Sequence, residues 1–64
     1  MKRLFAKYLK EEGSIFTVVP SKAVIQKITL AFNDWMIYNA RKRNYEIHEF
    51  ANNFMVRKFI EKLV

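Results

Sequence analysis

The chain has 64 residues, 52% of them hydrophobic and ten of them aromatic, and its twelve lysines and arginines against six acidic residues give a net charge of +6. A chain this short buries only about 60% of the surface its unfolded form exposes, so residues 1–64 make one domain with a marginal core. Without cysteine it can form neither disulfides nor a thiolate metal site, which leaves oligomerisation, a homodimer above all, as the expected further support.

The positive balance favours a polyanionic or acidic partner, nucleic acid first. It is unevenly spread: Met1–Gly13 carries +2, Ser21–Asn44 carries +4, and Tyr45–Val64 sums to zero. Solubility of a small, apolar-rich chain explains the same surplus equally well. Met1-Lys2-Arg3 before Leu4-Phe5-Ala6 resembles the start of a signal peptide, but Lys7 and Lys10 interrupt the apolar region at once. No apolar run approaches the roughly 18 residues of a membrane span, so a cytoplasmic protein is expected, with surface attachment of a basic amphipathic helix left open.

Lys2–Glu12 reads as a first helix, with Leu4, Phe5, Tyr8 and Leu9 on one edge. The only glycine, Gly13, stands where a left-handed residue ends a helix. Ser14–Val19, SIFTVV, is β-branched and aromatic without a helical stripe. It predicts an extended linker or a short strand, and a strand would need a second subunit to pair with, because the chain offers no other. Pro20 bars further pairing and Ser21 is a good N-cap.

Ser21–Asn44 is the longest helical pattern. Val24, Ile25, Ile28, Ala31, Phe32, Trp35 and Met36 share one stripe, while Leu30 and Ile37 fall nearly opposite. The segment closes on Arg41-Lys42-Arg43, cations that suit a helix C-terminus and that also suit phosphate. After a break at Asn44-Tyr45, Glu46–Val64 is again helical in composition, but its stripe changes phase. Ile47, Phe50, Ala51 and Phe54 share one face, and Val56, Phe59, Ile60 and Leu63 another. The pattern fits either one helix buried most of the way round or two short helices with a turn near Asn52–Met55. The continuous helix is preferred because nothing there forces a turn.

Phe50–Val56 followed by Arg57–Leu63 loosely resembles a helix-turn-helix, with Ala51 at the small-residue position and Met55-Val56 at the turn. The resemblance implies base-reading from Arg57, Lys58, Glu61 and Lys62. Ile15–Pro20 with the helices that follow is similar in element order to ribbon-helix-helix dimers. Only Thr17 has the outward polarity that family's strand requires, so its base-reading role is not carried over.

There is one histidine, no glycine-rich phosphate loop and only scattered carboxylates, so no enzyme, metal site or cofactor is expected. His48 lies between Glu46 and Glu49, and on a helix such close neighbours do not face one another. The expected fold is therefore all-α, a small three-helix domain with a short extended segment at residues 14–19, in a dimer. The expected function is that of a small DNA-binding or DNA-associated regulator contacting nucleic acid through Arg41, Lys42, Arg43, Arg57, Lys58 and Lys62. The alternative is a regulator or inhibitor docking on an acidic host protein. In either case Leu30, Trp35, Met36 and Ile37 are the expected interface residues, since aromatic residues and Met are enriched there.

Overall fold

In the computed structural model, which describes all 64 residues, a 22-residue helix runs the length of the molecule and two shorter helices pack against it. The elements are α1 (Lys2–Glu12), α2 (Lys22–Arg43) and α3 (Asn53–Glu61). The molecule measures 35 × 19 × 16 Å, its long dimension set by α2.

Local chemistry fixes each boundary. Gly13 takes φ 70°, and the Ser14 N–H donates to Leu9 O at 3.0 Å, the crossed pattern that closes a helix on a left-handed residue. Asn44 repeats the device at the end of α2 with φ 57° and Tyr45 N–H donating to Ala40 O at 3.0 Å. Asparagine is the side chain that best tolerates this conformation after glycine. Ser21 Oγ accepts from Val24 N–H at the start of α2, and Asn52 Oδ1 accepts from Met55 N–H at 2.9 Å at the start of α3.

The core is a fused aromatic and aliphatic cluster. Phe5, Tyr8 and Leu9 of α1 meet Ile25, Phe32 and Met36 of α2 and Val56 and Ile60 of α3. Phe32 is wholly buried, lying edge-on to Phe5 with ring centroids 5.1 Å apart and close to Tyr8 and Trp35. Thr29 is the one polar residue fully inside, and its hydroxyl donates to Ile25 O at 2.8 Å, so the buried oxygen is satisfied within its own helix. Burial raises the Tyr8 hydroxyl above its usual pKa, and the nearby Glu12 carboxylate adds to the effect.

One expectation narrows and one changes. Within the chain Ser14–Val19 forms no strand and follows the linker alternative: it bends at Thr17 and Val18, Phe16 and Val19 pack on the core, and Ile15 and Val18 face water. The last third is not one continuous helix, nor two. Tyr45–Asn52 is irregular and α3 begins only at Asn53. The reason is Asn33. Its carboxamide donates to Ala51 O and accepts from Ala51 N–H, both at 2.9 Å, holding Ala51 to the side of α2 as a neighbouring strand would. Those two backbone groups are thus satisfied without a helix, and the helix-turn-helix resemblance does not hold: Phe50–Asn52 is not helical and the expected turn at Met55-Val56 lies inside α3. The change of phase seen at Asn52 is the true start of α3.

Candidate nucleic-acid interface

The last turn of α2 lifts Arg41, Lys42 and Arg43 clear of the core. The last buried side chain of the helix is Ala40, and all three cations are exposed. None is in an ion pair; the ion pairs of the molecule are Arg57–Glu61 at 3.1 Å and Lys58–Glu61 at 3.5 Å, and the His48 ring stands 4.0 Å from the Glu46 carboxylate. At a helix C-terminus the triplet also faces the negative end of the dipole, which holds its charge in place.

The first turn of α1 lies at the same end. Met1 and Leu4 share a cleft with Met36, Tyr45, Ile47, His48 and Glu49, which brings the exposed Lys2 and Arg3 to the side of the molecule where α2 ends. Two carboxylates, Glu46 and Glu49, are exposed nearby in the returning segment. Because that segment is not helical, Glu46 and His48 can face the same way, as alternate residues of an extended chain do. They stand 4.0 Å apart on the surface, contrary to the helical expectation.

The six basic residues singled out in the sequence do not form one patch. Arg57 shares a cleft with Lys22 and Ile25 at the beginning of α2, and Lys22 is about 28 Å from Arg41 along the helix at 1.5 Å per residue. The α3 cations are also less free. Arg57 and Lys58 share Glu61, and the Lys58 ammonium sits over the Phe54 ring at 5.4 Å. Lys62, exposed at the C-cap of α3, has no ionic partner.

The four expected interface residues also separate. Met36 is 3% exposed and belongs to the monomer's own core. Trp35 is half-buried against Tyr8 and Phe32, and its indole N–H donates to Glu11 at 2.8 Å. Both are engaged within the chain, because α1 crosses α2 over them. Ile37 is half-buried and lies on the side of α2 along which Tyr45–Ala51 returns, between its fixed points at Ala40 and Asn33. Only Leu30, 58% exposed, stands open to solvent; Tyr38, 64% exposed, lies two turns further along α2 beyond the exposed Asp34.

No helix is long and apolar enough to cross a membrane. The class the structure defines is thus a small all-α domain of three helices around one long one. No protein-family model, no curated protein and no solved structure matches the chain.

Proposed function

We propose that the protein is a small basic DNA-binding or DNA-associated regulator that holds backbone phosphates through Arg41, Lys42 and Arg43 and acts as a dimer. The observation that supports this reading is the exposed triplet itself: three consecutive cations on an ordered helix end, none engaged in an ion pair, with Lys2 and Arg3 on the same side. Arginine forks pair with phosphate oxygens and the lysine adds a point charge, so contact is strong without base reading. Arg57, Lys58 and Lys62 form a second, weaker basic surface at the far end. Leu30 and Tyr38, exposed on α2, supply the apolar area for a second copy.

The test is fluorescence anisotropy with a labelled duplex and the full chain over a series of salt concentrations. Affinity should fall steeply with salt, and Arg41→Gln, Lys42→Gln and Arg43→Gln together should reduce the log–log slope by about 2.7 if each residue neutralises one phosphate. Absence of binding at low salt, or a slope unchanged in the triple variant, would remove the reading. The rival reading is a regulator that docks on an acidic host protein, and it predicts retained protein partners with no salt-dependent DNA affinity.

A further inference from the structure

We propose that the solvent face of α2 pairs with the same face of a second copy, antiparallel, with each Lys27 set against the partner's Asp34. This pairing rests on the dimeric reading above, to which it gives a geometry, and uses none of the DNA contacts.

At about 100° per residue, Ala23, Lys27, Leu30, Ala31, Asp34 and Tyr38 occupy one sector of α2 about 100° wide. All six are exposed. The sector lies opposite Ile25, Phe32 and Met36, the buried side chains on which α1 and α3 pack, so neither short helix covers it.

Two of the six are charged, and neither has a partner in its own chain. Asp34 is the only acidic residue of α2. Every residue three or four positions from Asp34 or from Lys27 is uncharged, so no helical ion pair forms, and neither takes part in any ion pair of the molecule. Between and around them the face is apolar or small.

The order of these residues selects the occupant. Lys27 and Asp34 stand symmetrically about the midpoint between Leu30 and Ala31, and so do Ala23 and Tyr38. A two-fold axis through that midpoint, perpendicular to the helix pair, therefore matches both sets in one register. Each Lys27 meets the partner's Asp34, each Tyr38 lies over the partner's Ala23, and Leu30 meets the partner's Leu30 beside the axis. The alanines let the two helices reach packing distance. Slipping the partner by one heptad in either direction sets Lys27 or Asp34 against its own copy, and a parallel pair does so with both. A phosphate backbone or an anionic bilayer would meet Asp34 in the middle of the face. A foreign protein would have to supply acid and base in reverse order, which a second copy does by symmetry. At 1.5 Å per residue this register also leaves the two Arg41–Arg43 runs about 34 Å apart, with equivalent groups on the same side of the pair, close to the one-turn repeat of B-DNA.

The test is sedimentation velocity of the full chain at about 100 μM, in moderate salt and without DNA. One helix from each side makes an interface below the standard size, so a dissociation constant on the order of 10 μM is expected. Lys27→Glu and Asp34→Lys should each weaken the dimer about tenfold or more, because each variant turns both Lys27–Asp34 contacts repulsive. An equimolar mixture of the two variants should recover it as a heterodimer, and the double variant, which keeps the parent's net charge, should recover it as a homodimer. Far-UV circular dichroism establishes that each variant is folded. The interface is overturned if either reversal leaves the dimer intact, or if the mixture recovers no dimer; the dimeric reading and the phosphate contact then stand without it. A parent chain that is monomeric at this concentration overturns the interface together with the dimeric reading. It leaves the face to a foreign protein and the phosphate contact to the salt series.

Discussion

Replacing Asn33 with alanine removes one side chain and strands two backbone groups. The carboxamide makes two 2.9 Å hydrogen bonds to Ala51, one to its N–H and one to its C=O, and Ala51 is 6% exposed. Each buried group left without a partner costs about 1–3 kcal/mol, and partial lifting of the segment into water returns some of that. A net loss of about 2–4 kcal/mol follows, against a total of only about 3–5 kcal/mol for a core of this size. Urea or thermal unfolding followed by far-UV circular dichroism should show Asn33→Ala barely folded, its midpoint lower by about 4–8 °C for each kcal/mol lost. Asn33→Asp adds a signature that a simple packing defect would not give. Ionised, the carboxylate still accepts from Ala51 N–H but repels Ala51 O; protonated, its O–H can donate to that oxygen. The folded state thus favours the neutral form and raises that carboxyl's pKa. This variant should gain stability as the pH falls through the carboxyl range, near 4, while the parent chain does not. An Asn33→Ala protein within about 0.5 kcal/mol of the parent would refute the argument that this clamp positions the last third of the chain.

Further outcomes follow from other positions. Gly13→Ala should cost about 1 kcal/mol in the same unfolding assay, a purely torsional effect, because φ is 70° and a Cβ there would meet nothing within 4 Å. Leu30→Asp should leave the melting curve essentially unchanged and act only on sedimentation behaviour, whereas Met36→Asp should prevent folding, since Leu30 is 58% exposed and Met36 3%. Burial holds the Tyr8 hydroxyl above its ordinary pKa of 10.0, so the folded state keeps that proton longer than the unfolded chain. Its contribution is complete below pH 10 and is lost as the pH rises through the folded value. Tyr8→Phe should therefore flatten the alkaline limb of a stability–pH curve, and an unchanged limb would assign it to other groups.

The first two helices were legible because their boundaries rest on local chemistry. Gly13, Ser21 and Asn44 act within a turn of where they stand, and Ile25, Phe32 and Met36 fall on the core at the spacing the pattern implies. Thr29 was not legible as core, because its burial depends on a hydroxyl bonded back to Ile25. The last third was misread for a different reason. Ile47, Phe50 and Ala51 have helical spacing, but the bonds that decide their conformation come from Asn33, eighteen positions away, and an asparagine in a helical stretch does not announce its acceptor. The same non-locality explains the interface residues. Once Tyr45–Ala51 is read as helix, nothing is left to shelter Ile37, and once α1 is allowed elsewhere, Trp35 and Met36 look surplus. For the candidate site, the basic run was legible as charge. That Arg41 and Arg57 stand at opposite ends of α2 required the packing of α3.

The aromatic cluster also has an optical consequence. The only tryptophan lies 5.7 Å from the Tyr8 ring, so excitation energy absorbed by Tyr8 passes to Trp35 as long as α1 is seated on α2. α3 contributes only Phe59, beside Phe5, which absorbs too weakly to report in the same window. Tyr38, three residues from Trp35 on α2, transfers whether or not α1 is seated, so the part of the tyrosine-excited Trp35 emission that Tyr8→Phe removes is the gauge for the α1 contact and is almost blind to α3. Compared with total helicity during unfolding, it would show whether the short helices leave α2 together or in turn.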